Sequence, residues 1–215
     1  MDLVFGAGRL DRHVDAAEDL LISYRDDTGL RYLDHKPCTP AGVLVPEDLA
    51  VTILIGSRVS SDAFVSIQDR APEIDLDAVP DTPLEETSSD ERRALTDLIA
   101  QVASWRGFGA SVATKVLHKK RSSFIPILDD KAIFGAYMNP RWPYERSSED
   151  SVRSPLLQIG EALDWIHQDL TRAENVDTWP ALSEIEPARS RIELFDMVWW
   201  MYFRTVEPVG REQQL

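Results

Sequence analysis

Two adjacent carboxylates, Asp129 and Asp130, follow the apolar run Phe124-Ile125-Pro126-Ile127-Leu128. The run is short and holds a proline, which predicts an extended connector rather than part of a sheet. Such a connector delivers both carboxylates to the start of the next helix, where Asp commonly serves as N-cap. A capping carboxylate is also one held still for chemistry. It can stabilise positive charge that develops in a transition state, and it can orient a water. Gly107, in Gly107-Phe108-Gly109, stands 22 residues before Asp129. Two glycines around one apolar residue suit a tight turn with positive backbone angles, the apolar side chain plugging between two helices. The N–H groups opening the second helix then suit a phosphate. That helix is expected from about Ala110 to Lys120 and carries Ser111, and Lys115, Lys119, Lys120 and Arg121 are the densest basic cluster of the chain. The candidate chemistry is backbone contact to nucleic acid. Two plainer readings stand beside it: a helix–helix turn with a capping glycine, and cations that compensate the dipole at a helix C-terminus.

The elements that must hold these residues read as helices. Val14, Ala17, Leu21 and Tyr24 share one face, as do Leu95, Leu98, Ile99 and Val102, and again Ile159, Leu163, Ile166 and Leu170. Ser88 and Glu91 have capping-box spacing before the second of these. Pro46 suits the first turn of a helix carrying Leu49, Ile53 and Leu54. Ile192 to Phe203 is apolar nearly all round and is predicted to be a central buried helix. Strand signals are sparse; Val43-Leu44-Val45 reads as a connector. Acidic, proline-bearing residues 71–86 and residues 139–155 read as irregular. The fold class expected is all-α, seven to nine helices in a single helical domain over residues 1–215, with the helix–hairpin–helix and acidic connector at 92–138.

The chain has 215 residues, 43% hydrophobic, enough for one real core. Lys plus Arg number 23 against 37 Asp plus Glu, a net charge of −14. That argues against binding nucleic acid by bulk charge, though not against a local basic patch on an acidic body. The one cysteine, Cys38, excludes an internal disulfide framework and a multi-cysteine zinc site. No metal and no cofactor are expected. His118 and His167 are expected at or near the surface of their helices. No apolar run reaches the ~18 residues of a membrane span. The N-terminal residues lack a basic start and a long apolar core, so a cytoplasmic protein is expected.

Arg106-Gly107-Phe108-Gly109, Ala113-Thr114-Lys115 and Ile125-Pro126-Ile127-Leu128-Asp129 together resemble the helix-hairpin-helix DNA glycosylase superfamily. Over about residues 40 to 205 the chain also resembles a group of bacterial proteins with the same hairpin, a Pro-Ile-x-Asp connector and an Asp-x-x-x-Trp helix, here Asp196 and Trp200. That second likeness brings no activity with it. The first implies that Gly107 and Gly109 shape a hairpin gripping the DNA backbone. It also implies that Asp129, with Asp130 a close second, is the catalytic carboxylate. Bifunctional members carry a lysine two residues after the second glycine. Here that position is Ser111, and Lys115, one turn on, is expected to face elsewhere, so the resemblance implies a monofunctional enzyme.

The activity expected is hydrolysis of the N-glycosidic bond of a damaged or modified base, with DNA as partner. The base would leave the stack and enter a pocket. Trp142, Tyr144 and Trp200 are candidate pocket aromatics, although tryptophans at helical spacing usually pack cores. Asp196, in the most apolar helix, needs a partner; Arg189, Arg191 or a helix N-terminus would serve, or it contributes to the pocket. Two competing readings remain. One is a non-catalytic hairpin module that binds DNA or a protein partner. The other is a hairpin kept as scaffold beside an unrelated small-molecule pocket. The location of the cations separates them: an enzyme on DNA should gather Lys115, Lys119, Lys120, Arg121 and Arg141 on one face with Asp129.

Overall fold

A computed structural model describes residues 1–57, 59–143 and 155–206. Among the described residues the chain is mostly helical, as its periodicity predicts. Eight α-helices appear: α1 (Ala17–Thr28), α2 (Arg31–Asp34), α3 (Ser61–Arg70), α4 (Ser89–Ala103), α5 (Gly109–His118), α6 (Pro155–Thr171), α7 (Thr178–Ile185) and α8 (Arg191–Val206). α8 runs through the core, with Leu194, Phe195, Met197, Val198 and Trp199 buried, and packs on α1, α6 and α7. α4 starts where its capping box predicts. Ser88 Oγ accepts from the Glu91 N–H at 3.3 Å, and the Glu91 carboxylate accepts from the Ser88 N–H at 2.7 Å. α4 and α5 pack against each other and place Phe108, buried, edge-on to Trp105.

Three elements depart from the sequence reading. Leu3–Phe5 and Arg12–Val14 form a small antiparallel pair, β1 and β2, in register Leu3 to Val14 and Phe5 to Arg12. Val14 therefore belongs to a strand, not to the face of α1. Three-residue strands are too short to show a period of two against background. The hairpin closes because Asp169 of α6, fully buried, accepts from the N–H groups of Gly6 at 2.6 Å and Ala7 at 2.8 Å. Gly6 has φ +111°, and a Cβ there would meet the Leu10 carbonyl carbon at 2.8 Å.

Pro46–Ile55 is a 3₁₀ helix rather than an α-helix. Its β-branched Val51-Thr52-Ile53 run crowds an α-turn, and the Thr52 hydroxyl donates to the Leu49 carbonyl at 2.7 Å. Asp130–Tyr137 is a π-helical segment. Its carbonyls find partners outside the segment: Trp199 Nε1–H donates to Ala132 O at 2.8 Å, and the Arg12 guanidinium donates to Tyr137 O at 2.8 Å and Ala136 O at 3.1 Å. The acidic stretch 71–86 holds only short 3₁₀ turns, at Ala71–Glu73 and Leu84–Glu86. No described helix is long and apolar enough to cross a membrane.

Candidate active site

The connector that ends in Asp129 is pinned at successive residues. His118 Nδ1 bonds the Ile125 carbonyl at 2.6 Å, the Ile127 N–H donates to Asp196 Oδ2 at 3.4 Å, and the Leu128 N–H donates to Thr114 Oγ1 at 3.0 Å. Thr114 and His118 are one helical turn apart on α5, so one face of that helix grips the extended segment. Phe124, Ile125 and Leu128 are buried beside it. Asp129 then caps the π-helical segment. Its Oδ1 accepts from the N–H groups of Lys131 at 2.9 Å and Ala132 at 3.1 Å. Its Oδ2 faces Lys115 Nζ at 3.4 Å. A carboxylate with one oxygen spent on a helix N-terminus and the other turned to a cation cannot swing away, and that fixes where its negative charge is felt.

Asp129 lies in the wall of a cavity of about 280 Å³. Tyr24 of α1, Tyr32 of α2, Leu54 and Ile55 of the 3₁₀ helix, Ile133 of the π-helical segment and Trp199 and Trp200 of α8 supply its apolar lining. Its polar lining is Asp129, Asp196 and Lys115, with Asp27, Arg31 and Arg204 also contributing. Asp196 is half-buried, and burial pushes its carboxyl well above the usual carboxylate range, with Glu193 adding to the shift. Its partner is the Ile127 N–H, not an arginine: Arg189 pairs with Asp34 and Glu193, and Arg191 with Glu85. Asp130 is exposed and does not line the cavity; partial desolvation and the neighbouring Asp129 raise its carboxyl. Of the two adjacent carboxylates, then, only Asp129 belongs to the cavity.

The basic cluster does not form an outward patch. Lys115, expected to face away from the aspartate, turns toward it. Its ammonium donates to Ser57 Oγ at 2.6 Å and Ser111 Oγ at 2.9 Å and meets Asp129. Three donors on three oxygens make Lys115 part of the cavity wall and bring Ser111 to the same corner. Lys120 is buried, 2.8 Å from Asp48 Oδ1, both side chains 1% exposed. Arg121 donates to the carbonyls of Leu76 at 2.6 Å and Lys120 at 2.8 Å. Lys119 donates to the Leu33 carbonyl at 3.0 Å, lies over the Tyr32 ring at 4.4 Å, and burial lowers its pKa to about 8. Lys120 and Arg121 therefore hold the 39–48 and 76 loops and are structural cations, contrary to the expectation of phosphate contacts. They are spent on chain carbonyls and a carboxylate, not presented to a phosphate.

Gly107 and Gly109 do have positive φ, +87° and +69°. A Cβ on Gly107 would meet Ser60 Oγ at 2.5 Å and Ala63 N at 2.7 Å, so the turn is braced by the start of α3. A Cβ on Gly109 would meet nothing within 4 Å. Trp142 is in the core, edge-on or tilted to Trp199, Tyr202 and Phe203 and covered by Arg12; it does not line the cavity. Tyr144 lies outside the described residues. His118, expected near the surface, is fully buried beside Tyr32, and burial lowers its pKa to about 4. His167 is half-buried as expected.

Sequence reasoning missed Tyr24, Asp27, Arg31, Tyr32, Ser57 and Arg204. Tyr24 carried a signal, as the C-terminal member of the α1 stripe, but nothing in it pointed to a cavity. Among the described residues no group of three or more His, Cys, Asp or Glu is placed to hold a metal ion. The family model described as "Family of unknown function (DUF6308)" matches residues 18–203. No match was found among curated proteins or among solved structures.

Proposed function

Because the chain belongs to DUF6308, a family of unknown function, no activity comes with the family, and we propose one from the site: hydrolysis of an N-glycosidic bond, releasing a base from a nucleotide unit seated in the aromatic cavity. The observation that carries it is the Asp129 carboxylate, fixed by two backbone N–H groups and Lys115 in the wall of a cavity lined by tryptophan and tyrosine. Cleaving the bond between C1′ and the base nitrogen leaves positive charge on the sugar. Asp129 stabilises that charge and takes the proton of the attacking water. The bonding pair leaves with the base, and Asp196, whose carboxyl burial raises well above the usual carboxylate range, gives that base a proton. One carboxylate held by two backbone N–H groups and a cation, and a second carboxyl raised by burial, fit the roles of charge stabiliser and acid. The α4–turn–α5 unit is a helix-hairpin-helix in this reading, and the enzyme is glycosylase-like and monofunctional. Lys115 has its three donors engaged and acts as a positioning cation rather than a nucleophile.

The test is base release from free nucleoside 5′-monophosphates and from a panel of DNA duplexes with damaged and modified bases, with wild type beside Asp129→Asn and Asp196→Asn. Asn at 129 keeps a capping oxygen and loses the charge, so wild-type fold with activity reduced by roughly 10²-fold or more is expected, the size seen when one preorganised group is removed. Borohydride trapping of a covalent adduct on Lys115 would overturn the monofunctional assignment. A second reading, a non-catalytic hairpin module, draws on the open space at Gly109. DNA binding unaltered by Asp129→Asn, with no base released from any duplex, selects it.

A further inference from the structure

We infer that the cavity takes a free mononucleotide, its base among Tyr24, Trp199 and Trp200 and its phosphate at Arg31 and Arg204, rather than a nucleotide extruded from a DNA duplex. The inference rests on the N-glycosidic reading for its chemistry and on the layout of α8 for its shape. Asp196, Trp200 and Arg204 follow one another at i, i+4 and i+8 on α8 and all line the cavity. At roughly 1.5 Å per residue that stripe spans about 12 Å, the length scale of one nucleotide. It runs from a carboxyl, through an indole face, to a guanidinium. Stacking on an indole is tolerant of base identity, and a guanidinium forks naturally onto a phosphate.

The two arginines differ in what holds them. Arg204 pairs with Asp27 of α1, both side chains 46% exposed, a contact that a phosphate can replace at little cost. Arg31 is exposed and has no ion pair among the described residues. A duplex needs a run of cations along its backbone, and among the described residues the basic cluster that follows the hairpin does not supply one. Lys120 is buried on Asp48, Arg121 is tied to chain carbonyls, and Lys115 lies inside the cavity wall. Asp27 adds a carboxylate to the cavity lining, and the whole chain carries −14. One phosphate finds two guanidiniums; a polyanion finds an acidic surface.

The experiment titrates the full chain with the common ribonucleosides and deoxyribonucleosides, their 5′-monophosphates, and a short DNA duplex. Binding is read by tryptophan quenching and by calorimetry, and base release by chromatography. At least one monophosphate is expected to bind about tenfold or more tighter than its nucleoside, the worth of a charge-assisted phosphate contact. Arg31→Gln and Arg204→Gln, both at exposed positions, should bring that monophosphate down to the nucleoside's affinity without moving the nucleoside. Release of base from the monophosphate supports the inference and the N-glycosidic reading together. Tight binding without release supports the site and overturns the reading. Base released from duplex but not from any monophosphate overturns the inference and leaves the reading standing. Absence of monophosphate binding overturns the inference outright.

Discussion

Replacing Lys120 by Met should destabilise the protein strongly, although a surface cation in the same sequence position would be replaced at almost no cost. The Lys120 ammonium contacts Asp48 Oδ1 at 2.8 Å, Thr39 Oγ1 at 2.8 Å and the Pro40 carbonyl at 2.9 Å, with both charged side chains 1% exposed. Met comes within one atom of the length of the side chain and removes the charge. Among the described residues Asp48 is then left with the Val45 N–H and the Thr39 hydroxyl as partners, in a setting with little solvent to help. Breaking one half of a buried pair costs about 3–5 kcal/mol. For a chain of this size each kcal/mol moves the melting temperature by about 2–4 °C, so a drop of roughly 6–20 °C is expected. Urea unfolding followed by tryptophan fluorescence measures it. Asp48→Asn in the same background removes the stranded charge and keeps the bond to Val45, so the double variant should recover about 2 kcal/mol relative to additivity. A Lys120→Met protein within about 1 kcal/mol of wild type would refute the buried-pair account. So would full stability together with lost DNA affinity, which would put the ammonium on the surface as a phosphate contact.

Three further outcomes follow from the same geometry. His118 is buried neutral with a pKa near 4 against an ordinary 6.5. Its contribution is fully present above pH 6.5 and is lost as pH falls toward 4, about 3 kcal/mol in all; urea midpoints across that range should fall less in His118→Gln. Asp169→Ala strands the N–H groups of Gly6 and Ala7 and the Tyr137 hydroxyl, which donates to Asp169 at 2.7 Å. The loss should be about 2–4 kcal/mol, with β1 and β2 the first amides to lose protection in hydrogen exchange. If Asp196 is the acid of the proposed reaction, base release should decline as pH rises through its elevated pKa. A flat alkaline limb in wild type, with unaltered activity in Asp196→Asn, would remove it from the mechanism.

The helices and the aspartate were legible in the sequence because both depend on near neighbours. Apolar spacing marks α4 and α8, Ser88 and Glu91 mark a start, and a proline-bearing run marks a connector that ends on a carboxylate. These are properties of four to eight consecutive residues, and tertiary contacts left them intact. What the tertiary structure decided is where each polar side chain spends its charge. Lys115, Lys119, Lys120 and Arg121 read as one cluster in the sequence, yet the fold splits them among Asp129, the Leu33 carbonyl, Asp48 and the Leu76 carbonyl, partners far away along the chain. The same holds for the π-helical turn, whose Ala132 carbonyl is satisfied by an indole N–H from α8, and for the β-hairpin, which closes on the carboxylate of Asp169. A cavity is the extreme case. Tyr24, Arg31, Asp129, Asp196 and Arg204 come to line one cavity only when α1, α2, the connector and α8 meet, because a concave surface is made by the spaces between elements and not by any one of them.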